Sequence, residues 1–366
     1  MSGGIGGISQ SGYGIMGQLT ANSQSLRNQV DTLTEQASTG LVSQSYAGLG
    51  AGASVALNLN PQIASLQTWQ TNINQATSSM TVSQSALTQL QSIASTFYAD
   101  MNNLSGANAA SGVSSTAAQA RSALQQVAGL LDTQDGNVYV FGGADSTSPP
   151  VPAADSILTS GFYTQINSAV SSLSTNGSTA TIAATLSIGQ SNAAGTSPFS
   201  AYMSQPTAGL AAPVVQVGTD STVQIGLLAS ANSFANSSDT STSTTGSYMR
   251  DLMRSLATIG SMTSAQVSDP NFSALVQDTR TSLNGVVSAM GTDIGALGNN
   301  QSNLTTIQTQ LSDTQTALTS QVSDVQQVDM AQTLSELTQT NTQLQASYQL
   351  IASENTLSLA KFLPAA

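Results

Sequence analysis

The sequence has no cysteine and no histidine, and its only lysine is Lys361. Without thiols there are no disulfides and no thiolate nucleophiles. With imidazole missing too, most zinc sites and the commonest general base are gone. Serine is abundant, but Lys361 stands close to the C-terminus and nothing else is placed to activate a hydroxyl. Charge is scarce as well: Asp, Glu, Lys and Arg make up 7% of the chain, against roughly 25% in an ordinary globular protein. The net charge is −12, so no basic patch can form against phosphates or an anionic membrane surface. No apolar run approaches the roughly 20 residues of a membrane span. The acidic residues are scattered singly, without the order of a calcium loop. Aromatics are 4%, fewer than a compact core usually recruits. These absences point to an elongated chain with narrow helix-to-helix seams. The start, "MSGGIGGISQSGYGIMGQL", lacks the basic and apolar regions of a cleavable signal peptide. The expectation is that any export proceeds without signal cleavage.

What remains is heptad pattern. Residues 1–17 read as flexible. Leu19, Leu26 and Leu33 are seven apart, with Val30 and Ala37 on the adjacent position, an a/d seam that stops at Gly40. Residues 40–61 read as a loop. From Pro61 to Leu104, Ile73, Ala76, Met80, Ser83, Leu87, Leu90, Ala94, Phe97, Met101 and Leu104 alternate steps of three and four. Another helix follows "SGANAASG" and ends near Gly136. Helix returns over Tyr248–Gly260. A long helix then carries Leu297, Leu304, Leu311, Leu318 and Val325, with Ile294, Gln301, Gln308, Gln315 and Val322 on the alternate position. The last stretch has Leu337, Leu344 and Ile351, paired with Leu334, Asn341, Tyr348 and Asn355. Twelve residues separate Val325 from Leu337, so the seam rotates there or the helix breaks. Asn341 and Asn355 read either as tolerated polar residues at a wet seam or as register-setting ones.

Between the helical halves the composition shifts to Thr, Val, Gly and Pro. Val138–Phe141 reads as a strand closed by Gly142 and Gly143, Ser178–Ile188 alternates like a strand, and Pro213–Leu227 reads as a hairpin. The fold class expected is mainly α with a β-rich insertion: an elongated bundle of long coiled-coil helices from both termini around a small β domain. Its parts are an N-terminal helix and connector (1–60), a helical rod (61–136), a β-rich domain (137–245), the returning rod (246–327) and a C-terminal helix (328–366). Such a layout runs the terminal helices antiparallel, the last stripe packing on Leu19, Leu26 and Leu33. With half its seam polar, that pair buries few groups worth about 1.5–3 kcal/mol each. Ordering costs about 1–2 kcal/mol per residue, so the pair is marginal until neighbouring copies cover it. No catalytic, cofactor or metal constellation is visible. "GLGAGAS" (Gly48–Ser54) lacks the strand and helix of a dinucleotide loop, and the Gly142-Gly143 turn reads as a corner. An enzyme is the weakest reading.

"VDMAQTLSELTQTNTQLQASYQLIASENTLSLAKFL" (Val328–Leu363) resembles the C-terminal signature of the flagellin superfamily. "LTEQASTGL" (Leu33–Leu41) is similar to that family's N-terminal block, and "VYVFGGADSTSPPV" (Val138–Val151) to the strand after its first helical half. The resemblance covers both ends, about two-thirds of the chain. Within the superfamily, "ELTQTNTQLQASYQLIA" and the Phe-Gly-Gly block resemble the hook–filament junction type (hook-associated protein 3) more than filament flagellin. The usual Asp-Asp motif after the glycine turn is replaced by "SQSYAGLGAGAS", which leaves both types open. The resemblance implies a structural subunit, exported unfolded through the flagellar type III channel to an extracellular flagellum. It implies terminal helices lining an inner tube. Its implied partners are other copies of itself, hook-associated protein 1, flagellin and possible export chaperones, with no cofactor. The assembly seam it implies comprises Leu19, Leu26, Val30, Leu33, Leu337, Asn341, Leu344, Tyr348 and Ile351. The remaining alternative is a secreted coiled-coil adhesin or phage-like structural protein.

Overall fold

The computed structural model describes residues 9–104, 109–235 and 243–356. Eight α-helices and four short strands fall in these ranges: α1 (Ser9–Thr39), α2 (Gly52–Leu104), α3 (Ala109–Leu131), β1 (Gln134–Asp135), β2 (Val138–Tyr139), α4 (Gly161–Ser171), α5 (Leu173–Gln190), β3 (Val214–Gln216), β4 (Thr222–Gln224), α6 (Tyr248–Gly260), α7 (Phe272–Gln326) and α8 (Met330–Thr356). The protein is mainly helical, with long helices from both ends and small β hairpins in the middle, as the patterning predicts. It divides into two compact units, residues 1–67 with 313–366 and residues 68–312.

The second unit holds the core. On α2 every seam position from Ile73 to Leu104 is buried. The facing α7 buries Leu283, Val286, Met290, Leu297 and Leu304. The two helices are antiparallel: Gln308 donates to Asn74 (2.7 Å), Gln301 to Thr81 (3.1 Å), and Arg280 to Asn102 (2.9 Å). Glutamines at alternate seam positions thus bond across the helices where leucine would be exposed. In the same unit α3 packs on α6, and α4 and α5 pack on each other and on α6. β1 pairs antiparallel with β2, and β3 with β4. The hairpin expected over 213–227 is present, with Val215 opposite Val223. Gly143 has φ +61, and a Cβ there would stand 2.8 Å from Leu228 and 3.0 Å from the Ala211 carbonyl, so only glycine fits the corner.

Three sequence readings differ most from the structure, beside the earlier ends of α3 (Leu131, expected near Gly136) and β2 (Tyr139, expected at Phe141). Ser178–Ile188 is not a strand but lies inside helix α5, kinked at Gly177 (φ +77). The buried positions there are Thr181, Thr185 and Gly189, four apart, the period of a helix face. Their small size disguised it, because the larger Ile182, Leu186 and Ile188 alternate on the half-buried side. Second, α2 starts at Gly52 and runs through Pro61. An interior proline costs about 3 kcal/mol, and the burial of Ala56 and Leu66 on either side offsets it. Third, α1 is helical from Ser9, within the stretch read as flexible. The break expected before Leu337 is real, and falls at residues 327–329.

Candidate functional site in the paired terminal helices

In the first unit α1 packs on α8. The pairing is antiparallel: the Ser347 hydroxyl lies 3.5 Å from that of Ser23 near the far end, and Leu41 pairs with Gln327 at the near end. On α1 the covered positions are Met16, Leu19, Ser23, Leu26, Val30, Leu33 and Ala37, an unbroken three-four alternation. On α8 they are Thr333, Leu337, Thr340, Leu344, Ser347 and Ile351. Leu19, Leu26, Val30, Leu33, Leu337, Leu344 and Ile351 therefore share one seam. Asn341 and Tyr348 do not: Asn341 is exposed and Tyr348 is 47% exposed. Their place is taken by Thr333, Thr340 and Ser347, one residue earlier in each heptad. These hydroxyl residues give little periodic signal, which is why the adjacent Leu334, Asn341 and Tyr348 stand out in the sequence instead. The side chain of Asn355 lies outside the described residues.

Leu334 (48% exposed) and Tyr348 form, with Met330, a second stripe along α8, beside the one that α1 covers. On α1 the remaining faces are polar: Gln18, Asn22, Gln24, Asn28, Gln29 and Thr32 are all exposed. The two helices are thus unequal. One has a single apolar stripe, and the other has two.

Where the helices break, the chain is held by backbone. Gly40 (φ +72) ends α1, its N–H bonded to the Gln36 carbonyl at 2.8 Å. Val42 N–H donates to the Gln326 carbonyl (2.8 Å), and Val328 N–H to the Gly40 carbonyl (3.0 Å). Asp329 Oδ1 then accepts the N–H groups of Ala331 and Gln332, capping α8.

The ionisable chemistry of the molecule lies elsewhere, in the second unit, around α6. All thirteen residues of α6 are buried. Arg254 lies 3.7 Å from Asp251 and 3.5 Å from Asp278, and donates to the Ser243 carbonyl, Ser282 and Thr185. Burial pushes the Asp251 carboxyl up, while Arg254 and the hydroxyl and N–H of Thr244 and Thr245 pull it back. Arg250 bonds the carbonyls of Gly189, Ser191 and Ser230 and the side chain of Asn192, and stacks over Phe199. Its burial lowers its pKa. Asp293, fully buried, accepts from the backbone of Ser233, Phe234 and Ala235 and from the Tyr248 hydroxyl at 2.7 Å. Burial and that carboxylate raise the Tyr248 phenol well above its ordinary range. Sequence reasoning missed this network; its one signal is an aspartate beside a leucine seam in α7. The arrangement ties loops to helices, each carboxylate taking hydrogen bonds from hydroxyls or backbone N–H groups of a neighbouring segment. Two clefts of this unit, about 690 and 440 Å³, present Asp135 and Tyr139 in one and Arg250 in the other as their ionisable lining. Among the described residues no three acidic, His or Cys side chains could hold a metal ion, and no helix is long and apolar enough to cross a membrane. Gly48–Ser54 does lead into a helix, α2, but a single turn of 3-10 helix precedes it and no strand does.

Long helices paired across the two ends of the chain point to a structural subunit, and comparison with known families agrees. Residues 13–146 match the family described as the bacterial flagellin N-terminal helical region, and residues 281–363 match the bacterial flagellin C-terminal helical region. Together the matches span more than half of the chain, which belongs to the flagellin superfamily. It is accordingly a self-assembling structural subunit of the bacterial flagellum, exported from the cell, and not an enzyme. No curated protein matches the chain.

Proposed function

We propose that this subunit joins the flagellar hook to the filament. The observation that carries the reading is the wording of α8 and of the Phe-Gly-Gly corner, which resembles the junction type more than filament flagellin. On this reading the inner-tube segments are 1–60 and 328–366. Residues 61–136 and 246–327 make the rod, and 137–245 face outward. Leu19, Leu26, Val30, Leu33, Leu337, Leu344 and Ile351 hold the terminal pair together within one copy. Asn341 and Tyr348, with Leu334, meet the next copy: an uncovered apolar stripe costs solvation that a neighbouring helix removes. The amide of Asn341 adds hydrogen bonds that depend little on salt. Hook-associated protein 1 would stack below and flagellin above, with an export chaperone holding the terminal segments beforehand.

Deletion of the gene tests the proposal. Loss of the junction leaves hooks intact and sheds filament monomers into the medium. A deletion strain that secretes no monomer of its own filament protein overturns it. That outcome supports the second reading, a filament flagellin. Copy number separates the two again, since a junction needs a few rings and a filament needs thousands of subunits.

A further inference from the structure

The two arginines of α6 differ in what they meet. Arg254 faces two carboxylates. Arg250, one turn earlier, is 7% exposed and makes no ion pair among the described residues. A guanidinium has five N–H donors. Four of them are taken. The Ser230 carbonyl accepts from Nε (3.0 Å), the carbonyls of Gly189 (3.1 Å) and Ser191 (3.4 Å) from Nη1, and Asn192 Oδ1 from Nη2 (2.7 Å). The fifth, on Nη2, has no partner among the described residues. The group is also held in place by Phe199, whose ring centre lies 5.0 Å away. Neutral carbonyls fix its position and leave its charge unbalanced, an arrangement that favours an incoming anion.

Arg250 lines a cleft of about 440 Å³, within the range of about 300–1,000 Å³ of small-molecule sites. No carboxylate lines it, although the chain carries 18 Asp and Glu against 6 Lys and Arg. The asparagines around it are turned so that they donate. Asn192 Oδ1 is taken by Arg250, and Asn232 Oδ1 by the Tyr248 N–H (3.0 Å). What each still offers is chiefly its NH2 group. Gln190 and Gln205 are exposed, with no side-chain hydrogen bond among the described residues, and Thr207 adds an exposed hydroxyl. These three both donate and accept. A fixed cation, amide donors and two-way groups together complement one carboxylate and several hydroxyls. A bare inorganic anion would leave the glutamines unused, and a neutral polyol would leave the charge of Arg250 unmet.

We infer that this cleft binds a small hydroxylated carboxylate of the sugar-acid class, with its carboxylate on Arg250 and its hydroxyls on the surrounding amides. The second unit thereby carries a ligand site of its own, separate in role from the assembly helices. The inference is independent of which flagellar part the subunit forms.

Gluconate is the probe. Sorbitol is its uncharged open-chain counterpart, and acetate is a carboxylate without hydroxyls. Calorimetric titration of the full-length subunit should show gluconate binding about tenfold more tightly than either, the factor expected for one charge-assisted hydrogen bond or a pair of neutral ones. Arg250→Gln should erase the preference for gluconate over sorbitol. Because Arg250 also fastens three segments, two further measurements leave it in place. Gln190→Ala with Gln205→Ala should keep the parent's melting, weaken gluconate by about fivefold and leave acetate unchanged. Thr207→Cys gives the chain its only thiol. Saturating gluconate should slow the alkylation of that thiol, and sorbitol at the same concentration should not. Gluconate and sorbitol binding alike, or neither binding, overturns the inference. So does a gluconate affinity indifferent to the two glutamine substitutions, or a thiol at 207 that reacts at one rate with and without gluconate.

Discussion

The two units of this chain bury their residues on different principles. Residues 68–312 enclose a continuous core from Ile73 on α2 to Leu304 on α7, and sink a whole helix, α6, with two arginines and an aspartate inside it. Among the described residues of 1–67 and 313–366, the buried side chains are few beyond Leu33, Ala56, Leu66, Val322 and Leu344, with Ser23, Thr333 and Thr340 filling the remaining seam. At about 1.5–3 kcal/mol per buried aliphatic side chain, the first unit's apolar burial hardly offsets the ordering of two long helices. The second unit is finished as a single copy. The first leaves a stripe of α8 uncovered and gains from the presence of others. On the proposed reading, the part that meets neighbouring copies is the part that one chain leaves unfinished.

The comparison breaks most sharply at Arg254. Its guanidinium faces two buried carboxylates, Asp251 and Asp278. Replacing it with methionine keeps the volume and leaves both acids without their cation. Removing one partner of a buried ion pair costs about 3–5 kcal/mol, which for a unit of this size lowers its melting temperature by roughly 6–20 °C. Calorimetry on the purified subunit checks this. If Arg254→Met instead melts like the parent, the buried polar network of α6 is not what holds the second unit together.

Leu344→Asp makes the converse cut. Leu344 is 8% exposed, centred in the seam, and a carboxylate there would be buried among uncharged seam residues. Hydrogen exchange should show the second unit keeping its protection unchanged. The variant should be exported and fail to attach a filament, and normal motility would count against an assembly role for this pair. A milder cut spares the fold altogether. Leu334→Ser with Tyr348→Ser changes side chains that one copy leaves about half exposed, so the subunit's melting should not move. Polymerisation should weaken by about tenfold, as expected for loss of one well-covered apolar contact, and sedimentation of assembled material measures it. An unchanged critical concentration would mean that the second stripe meets nothing.

Much of this division is legible in the residues. Every seam position named on α2 and α7 is covered, because large apolar side chains at heptad spacing leave few other solutions. The phase slip between Val325 and Leu337 marks the real break at 327–329. Legibility fails where small or polar residues take core places. Thr333, Thr340 and Ser347 are silent beside Leu334 and Tyr348, so the seam reads one position too late. Thr185 and Gly189 are silent in α5 because their partner is the Arg254 side chain, which bonds the Thr185 hydroxyl and lies 3.2 Å from where a Cβ on Gly189 would stand. That packing is set by a residue about sixty positions away, which no local pattern can encode. The pairing of residues 40–42 with 326–328 is equally invisible, being made of backbone.

The smallest expected effect tests how far the burial of the second unit extends towards its margin. Asp132 follows α3, and its Oδ1 accepts the Val151 N–H at 2.8 Å, pinning the corner after Pro149 and Pro150. Burial raises its pKa from 3.8 to about 6, against the pull of that hydrogen bond. A raised carboxyl favours its proton in the folded state. Its contribution to stability is therefore fully present below pH 3.8 and is lost as pH rises through about 6. Above that the folded unit carries a half-buried charge, screened by the water that still reaches it. Asp132→Asn keeps the acceptor for Val151 and removes the charge. The variant should be more stable than the parent at pH 7.5, by about 1 kcal/mol after that screening, and equal to it at pH 3.5. Urea unfolding at the two pH values measures the difference. A gain that is the same at both would assign it to amide packing at the corner, and would place the edge of the buried unit inside Asp132.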